Sequence, residues 1–287
     1  MTKSQRKLLI LSIAFLLFLS LVIFMVWGNV TVKTTQIDIK DENIPSGFDG
    51  YKIAQISDFH NTELGEDNYK ILKILEGQKP DIIVITGDFV DSSHTDFDIA
   101  LSFAKKAVKI APCCYVSGNH EAWLVSEQKS FKDFKNLFIE AGITVLENET
   151  EIIERNGDKI NLIGISDPSF ESNEILSPDD GIAEFYIESS DAQDGYKILL
   201  SHRPELFETY VRENINLVFS GHAHGGQFRL PFVGGLIAPN QGLFPKYDAG
   251  LYEKDNTKMI VSRGLGNSVI PLRFNNRPEV VIAVLRK

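Results

Sequence analysis

Short apolar runs that alternate with helix-like segments are the feature that most restricts the fold of this sequence. Ile82–Ile85 is a continuous apolar run, as expected for a strand buried on both faces, and Asp67–Gly77 before it carries apolar residues at helical spacing. The same alternation continues to the end of the chain. Strands that alternate with helices predict an α/β fold in which helices cover the sheets. We expect one domain over residues 50–287, preceded by a stalk and a first edge strand over residues 29–49.

The N-terminus is a candidate membrane segment. Leu8–Trp27 has no charged residue, and at ~1.5 Å per residue it is long enough to cross a hydrocarbon core of ~30 Å. No Ala-x-Ala type of cleavage site follows, so we favour an uncleaved signal anchor over residues 1–28 and keep a cleaved signal peptide as the alternative. Lys3, Arg6 and Lys7 precede the run, and the positive-inside rule keeps them cytoplasmic. We therefore expect a single-pass protein of the cell membrane whose body lies outside the cytoplasm.

Composition excludes several classes of protein. Hydrophobic residues make up 43% of the chain and charged residues 24%, which is ordinary globular usage. Without the three basic leader residues, 26 basic residues face 39 acidic ones, a net charge of −13. We therefore expect no polymeric nucleic acid as partner, although local cations in a cleft still permit a small anionic substrate. Cys113 and Cys114 are adjacent and cannot close a loop, so we interpret them as buried strand residues.

Histidines are concentrated where predicted strands end. Five of the six histidines have this position, and three further polar residues accompany them. These residues are His60, His120, His202, His222 and His224, with Asp58, Asp88 and Asn119. Because open α/β sheets bind ligands at the carboxyl ends of their strands, we expect the side chains to meet in one site. Imidazole, carboxylate and amide ligands without a thiolate suit Mn, Fe or Zn.

Local spacing agrees with metal binding. In an extended segment, residues i and i+2 project to the same side, so Asp58 with His60, and His222 with His224, are expected to act as neighbouring pairs. Three of the candidate ligands follow a glycine, which lets the backbone turn tightly and approach an ion. These glycines are Gly87, Gly118 and Gly221.

These motifs resemble the ordered blocks of calcineurin-like metallophosphoesterases. The blocks are Asp58-x-His60, Gly87-Asp88, Gly118-Asn119-His120-Glu121, a single His202, and Gly221-His222-x-His224. The sequences after His224 and around 263–266 and 271–279 are similar to a bacterial subgroup, the membrane-associated or exported phosphoesterases of the YkuE/YaeI type. That subgroup includes enzymes that split the pyrophosphate of UDP-diacylglucosamine in lipid A synthesis.

The resemblance implies a four-layer αββα sandwich with a dinuclear metal centre. The first of two divalent ions would be held by Asp58, His60, Asp88 and His224. The second would be held by Asp88, Asn119, His202 and His222. Asp88 would bridge the ions, and His120 would assist the leaving group, so both count as catalytic residues. Phe59 and Asn61 depart from the usual pattern and are expected to narrow the cleft.

Paired divalent cations predict a phosphoester hydrolase. Two ions ~3.5–4 Å apart clamp phosphate oxygens, and a metal can lower the pKa of bound water to ~7, which supplies hydroxide for in-line attack on a phosphodiester, pyrophosphate or monoester. A protonated His120 can neutralise the leaving oxygen, an effect worth ~10²–10⁴-fold. Arg263, Arg273 and Arg277 are either bidentate phosphate ligands or structural arginines.

Two alternatives remain open. A catalytically weak scaffold would resemble the phosphoesterase-like subunit of retromer, but such scaffolds tend to lose ligands that are all present here. A nucleotide or nucleic-acid phosphodiesterase competes with an enzyme that acts on a lipid or envelope headgroup. The acidic body argues mildly against polymeric nucleic acid, and the anchor mildly favours lipid or envelope substrates. The substrate, the native metal and the oligomeric state are left open.

Overall fold

The computed structural model describes residues 1–126, 130–171, 180–267 and 270–287. Within them the α-helices are α1 (Lys3–Val30), α2 (Tyr69–Gln78), α3 (Phe97–Ala107), α4 (Asn119–Ser126), α5 (Phe131–Glu140), α6 (Asp180–Glu188) and α7 (Phe207–Arg212). Single 3₁₀ turns lie at Ser46–Phe48, Glu66–Asn68, Pro168–Phe170, Pro204–Leu206 and His224–Gly226.

The strands of the two main sheets are β1 (Lys33–Lys40), β2 (Lys52–Ile56), β3 (Ile82–Thr86), β4 (Cys113–Val116), β5 (Thr144–Val145), β6 (Glu149–Arg155), β7 (Asp158–Gly164), β8 (Tyr196–Leu200) and β9 (Leu217–Ser220). Four two-residue strands form small hairpins, namely β10 (Arg229–Leu230), β11 (Gly234–Gly235), β12 (Ile237–Ala238) and β13 (Gly242–Leu243). The main sheets are completed by β14 (Gly250–Lys254), β15 (Thr257–Val261) and β16 (Glu279–Arg286).

Each main sheet is mixed, with parallel strands at its centre. Sheet one has the order β1-β16-β2-β3-β4-β5, in which β2 to β5 are parallel and β16 is antiparallel to β2. Sheet two has the order β14-β15-β9-β8-β7-β6, with antiparallel pairs at both edges. β1 pairs with β16 along its whole length, so the predicted edge strand is present and joins the sheet directly after α1.

Three apolar clusters divide the protein into four layers. One cluster packs sheet one against α2, α3 and α5, a second fills the space between the sheets, and a third packs sheet two against α6 and α7. Ile83 and Ile85 face the helices, whereas Ile82 and Val84 face the other sheet, so both faces of β3 are buried. The predicted αββα fold is confirmed.

The cysteines follow the same alternation. Cys113 belongs to the helix-side cluster and Cys114 to the cluster between the sheets, and both are free thiols. Burial raises the pKa of each thiol to about 12. Their interpretation as buried strand residues is confirmed.

Some expectations for the loops were incomplete. The acidic, Ser- and Asp-rich composition of residues 171–194 predicts a solvated excursion with a helical turn or two. Residues 172–179 lie outside the described residues, and α6 buries Ala183, Tyr186 and Ile187 against sheet two. The Gly- and Pro-rich composition of residues 228–258 predicts a loop, but the stretch contains five strands, four of them only two residues long. Such strands are too short to carry a periodic signal.

Helix α1 stands out from the body, and its last turn contacts the loop that leads into β16. Its apolar side chains are exposed, and the helix is long and apolar enough to cross a membrane. Near its end, the Asn29 side chain bonds both backbone groups of Arg273, at 2.8 and 2.9 Å. The Phe24 ring meets Phe274 edge-on at 5.9 Å. Helix α1 is therefore tied to this loop by a polar and an aromatic contact.

An aromatic cluster on the helix side of sheet one holds the loops that follow β2 and β3. Phe59 and Phe89 stack with 4.4 Å between ring centroids, and Phe103 of α3 lies within 5.8 Å of both rings. All three side chains are buried. The expectation that Phe59 narrows a cleft was wrong, because the ring fills the core instead.

We expect Phe103→Ala to lower the free energy of unfolding by about 3–5 kcal/mol, because it leaves a cavity beside both loop rings. Chemical denaturation of the full chain in detergent measures this loss. Phe185→Ala is the matched control, since Phe185 is 64% exposed and its removal should cost no more than about 0.5 kcal/mol. Equal losses in the two variants would contradict the assigned core.

Candidate metal centre

The carboxyl ends of the two sheets meet at a buried polar cluster. Sheet one contributes Asp58 and His60 after β2, Asp88 after β3, and Asn119 and His120 after β4. Sheet two contributes His202 after β8, and His222 and His224 after β9. All eight residues are buried. Gln55 links the sheets directly, because its Nε2 donates to the carbonyl oxygen of Ser220 at 2.8 Å.

Two groups of potential ligands share one carboxylate. The first group consists of Asp58, His60, Asp88 and His224, and the second of Asp88, His202 and His222. In each group the ligand atoms lie within 4.8 Å of one another. Asp88 Oδ2 lies 3.6 Å from His60 Nε2 and 3.2 Å from His202 Nε2. The structure thus brings six of the predicted ligands into two overlapping groups.

The backbone at these residues is not extended. Five of them have left-handed φ angles: Asp58 (48°), His60 (46°), Asp88 (50°), His222 (64°) and His224 (47°). The expectation of an extended backbone was therefore wrong, although Asp58 and His60 do lie together in the first group as predicted. His222 and His224 belong to different groups, because the chain turns sharply between them. Non-glycine residues in this conformation are strained, and such strain is concentrated at functional sites.

Two glycines allow the loops of the site to approach each other. A Cβ on Gly118 would lie 2.4 Å from Asp88 Oδ1, and one on Gly221 would lie 1.9 Å from Ser57 Oγ and 2.5 Å from Asp58 Oδ2. All three distances are shorter than any normal contact of a Cβ atom. The glycines thus make room for neighbouring side chains of the site.

Hydrogen bonds orient the rings of two histidines. His202 Nδ1 lies 2.8 Å from the carbonyl oxygen of Thr86, which can only accept, so Nδ1 carries the proton and Nε2 faces Asp88. His222 Nε2 lies 2.8 Å from Asn240 Oδ1, which also accepts from Arg203 Nη1 at 3.0 Å. His222 therefore directs Nδ1 toward His202 Nε2, 3.2 Å away. Second partners of this kind are typical of metal-binding histidines.

Burial and charge set the protonation of the cluster. Burial lowers the pKa of His60, His222 and His224, which favours the neutral, ligating form. Burial also disfavours the charged forms of Asp88 and His202, but the electrostatic attraction between these two residues outweighs the effect of burial. It holds the pKa of Asp88 well below its ordinary value and raises that of His202 to about 10.

The donor set fits divalent cations. Asp58 Oδ2 and Asn119 Oδ1 are buried and have no hydrogen-bond partner among the residues that the structure describes. A buried carboxylate oxygen or amide oxygen without a partner is costly, and a cation would relieve that cost. Oxygen and imidazole donors together suit Mn, Fe or Zn.

His120 lies beside the first group. Its Nδ1 accepts from the backbone N–H of Ser92 at 3.1 Å, so a neutral His120 ring carries its proton on Nε2. The ring meets His60 edge-on at 4.5 Å. The N–H of His120 donates to Asp88 Oδ1 at 2.9 Å. The residue is thus held against the group without belonging to either set around Asp88.

Glu121 positions the loops from β3 and β4. Its carboxylate accepts from the N–H groups of Asp88, Phe89, Val90 and Gly118 at 2.7 to 3.2 Å. Burial and the charge of Asp88 raise its pKa to about 7, against the effect of these donors. The sequence shows Glu121 only as part of a motif. Its role could be recognised only from the structure, because three of the four N–H donors lie about thirty residues away in the sequence.

Arg203 and Asn240 contact His222 from outside the ligand groups, and neither was predicted from the sequence. Arg203 is buried and makes a bidentate pair with Asp167, at 2.6 and 2.8 Å, while Nη1 lies 3.0 Å from His222 Nε2. The only sequence signal was that Arg203 follows His202. Asn240 lies in the turn between β12 and β13, where the sequence has no hydrophobic periodicity and no motif.

The three C-terminal arginines are engaged by the protein. Arg273 is buried and bonds Asn267, the carbonyl oxygens of Arg263 and Gly266, and lies 3.4 Å from His224 Nδ1. Arg277 bonds Thr31 and Val32 and covers the Trp27 ring. Arg263 lies 3.7 Å from Glu279. These contacts favour the structural interpretation.

Comparisons with known proteins agree with this site. The sequence profile of the calcineurin-like phosphoesterase family matches residues 51–226. The metallophosphoesterase YkuE of Bacillus subtilis is 32% identical over 267 residues, which cover 89% of this chain and 86% of that protein. The phosphodiesterase YaeI of Escherichia coli is 30% identical over 214 residues, covering 72% and 71%. The solved structure of TT1561 from Thermus thermophilus has a similar fold, with a TM-score of 0.51, 13% identity, and coverage of 75% and 90%.

We expect Asp88→Asn to weaken metal binding by more than about a hundredfold, because it removes the one charge common to both groups while preserving volume. Metal analysis of the purified full chain after dialysis measures the loss. Asp98→Asn, an exposed change on α3, should leave the metal content unchanged. Full metal content in Asp88→Asn would show that Asp88 is not a shared ligand.

Proposed function

The chain belongs to the calcineurin-like phosphoesterase family of metal-dependent phosphoric ester hydrolases, and from that premise we propose that it is a membrane-anchored, dinuclear phosphodiesterase or pyrophosphatase. The observation that carries the proposal is the pair of buried ligand groups that share Asp88. Such an arrangement suits a reaction in which one phosphate contacts two cations.

We assign the ligands as the family motif implies. Asp58, His60, Asp88 and His224 would hold the first ion, and Asp88, Asn119, His202 and His222 the second. When bound, two divalent ions, for which Mn, Fe or Zn are suitable, neutralise charge on the phosphate and lower the pKa of bound water. Asp88 keeps the two sites at a fixed separation, and the left-handed loops hold its neighbours in place.

His120 acts on the leaving group in this proposal. Ser92 fixes its Nδ1 as an acceptor, which leaves Nε2–H as the donor of the neutral ring. A donor at Nε2 stabilises negative charge on the departing oxygen, and Glu121 and the Asp88 carboxylate keep the start of α4 in position. His120 therefore contributes most where the leaving oxygen is most basic.

Helix α1 supports a membrane location. We propose that it is an uncleaved signal anchor with its N-terminus in the cytoplasm and the catalytic domain outside, because basic residues precede the apolar run. The substrate would be a small phosphoester, for which a lipid or envelope headgroup is the first candidate.

We expect His120→Asn to reduce turnover about 10²–10⁴-fold on diesters with basic leaving groups, and far less on nitrophenyl esters. Asparagine keeps an acceptor for the Ser92 N–H but has no equivalent of Nε2. Steady-state rates of Mn-loaded protein across mono-, di- and pyrophosphate esters test both this role and the activity. His94→Asn is the control, since His94 is exposed. Equal losses on all leaving groups would refute the role.

Protease added outside intact cells should degrade the body of the protein and spare the N-terminal segment, because the basic residues hold that end in the cytoplasm. Immunoblots with tags at either terminus report the outcome. A body cleaved only after lysis would reverse the proposed topology.

A further inference from the structure

Exposed apolar side chains of the body are concentrated in one region. Among the described residues that follow α1, twelve large apolar side chains are exposed, and eight of them lie within 230–244 and 270–272. Six belong to the two small hairpins and define the hairpin surface: Leu230, Phe232, Val233, Ile237, Leu243 and Phe244. Phe232, at the turn between β10 and β11, is fully exposed. Apolar patches of this kind mark contacts with proteins or membranes.

The hairpin surface is joined by backbone hydrogen bonds to the loop that α1 contacts. The N–H of Arg229, where β10 begins, donates to the carbonyl oxygen of Phe274 at 3.0 Å. Gln227 Nε2 donates to the carbonyl oxygens of Ile270 and Leu272, both at 2.7 Å. Phe274 in turn contacts Phe24 of α1. The hairpins and the end of the helix are thus attached to the same loop.

The contact with α1 fixes the depth of this loop relative to a bilayer. Phe24 lies three residues, or about 4.5 Å along the helix axis, before Trp27, the last residue of the apolar run. A side chain that packs on Phe24 therefore lies at the level of the membrane interface. Trp27 marks the same level, since Arg277 covers its ring at 4.5 Å and tryptophan is enriched at that depth.

We propose that the hairpin surface docks on the bilayer that α1 crosses, so that the entrance of the metal centre is held against the membrane. An apolar pocket leads from this surface to the site, because His224 and Gln227 line it together with Ile237, Ala238 and Ile270. A phosphoester carried by a lipid would reach the metal centre without leaving the interface. This inference rests on the proposed membrane anchor. It adds a second membrane contact, the hairpin surface, which would orient the catalytic domain relative to the bilayer.

The docking is tested with full-length protein in phosphatidylcholine vesicles. Phe232→Cys is labelled with an environment-sensitive fluorophore, and Cys113 and Cys114 do not compete because they are buried. We expect blue-shifted emission that lipids with a headgroup-level quencher suppress. Phe185→Cys on α6 is the matched control, since it is an equally bulky exposed aromatic position in another layer, and its label should remain aqueous. Intrinsic quenching of Trp27 verifies that α1 is inserted.

Each outcome decides the proposal. If α1 is inserted and the label at 232 is quenched no more than that at 185, the docking is wrong while the anchor stands. If α1 is not inserted, both proposals fail. The emission could instead be blue-shifted without being quenched by the labelled lipid, with a shift that increases with the number of protein molecules per vesicle. This result would show that the hairpin surface contacts a second copy of the chain, which also overturns docking.

A kinetic test separates docking from catalysis. Phe232→Asp should lower the rate on a lipid-borne phosphodiester in the same vesicles about tenfold or more, because a charge at this depth opposes interfacial binding. The rate on a water-soluble nitrophenyl diester should not change, since Phe232 lies outside the metal centre. Equal effects on both substrates, or no effect on either, would contradict the docking.

Discussion

The close approach of two sheets around the Asp88 carboxylate is the constraint on which the rest of the structure depends. Asp88 leaves β3 of sheet one, and His202, which leaves β8 of sheet two, lies 3.2 Å from its Oδ2. The ring of His202 is held by a carbonyl group of β3 itself, that of Thr86. The same strand thus supplies the carboxylate and orients the imidazole opposite it. A change in the packing between the sheets would move both groups and separate the two ligand sets.

Much of this arrangement could be predicted from the sequence, for a physical reason. Parallel strands with both faces buried are continuous apolar runs, so their ends are easily recognised, and the polar residues after them must lie at one edge. That reasoning found β3 and β4 and all eight polar residues of the site. The alternation of strands and helices also predicted sheets covered by helices, whereas the four-layer arrangement was implied by the resemblance to calcineurin-like phosphoesterases.

The remainder depends on contacts between distant segments. Left-handed φ angles at Asp58, His60 and Asp88 leave no pattern in the sequence, since only the packed loops impose them. Helix α4 begins at Asn119 itself, within a motif that was interpreted as a strand end. Asn240 meets His222 from a hairpin of two-residue strands, too short for any periodicity. Sequence patterns report local geometry and burial, but they do not report which loop will support a given histidine.

The loop before β16 connects helix α1 to the cluster of candidate metal ligands in two steps. Asn29 of α1 bonds both backbone groups of Arg273, and the Arg273 guanidinium lies 3.4 Å from His224. The acidic body, with a net charge of −13, would be repelled by an anionic membrane surface if it were free to turn. An orientation set by apolar hairpins and by the Asn29 contact avoids dependence on surface charge. The local field at the site is a separate matter, because two divalent ions would outweigh the charges of Asp58 and Asp88. The protein can therefore be acidic as a whole, lie against a membrane through apolar contacts, and still attract a phosphate to its centre.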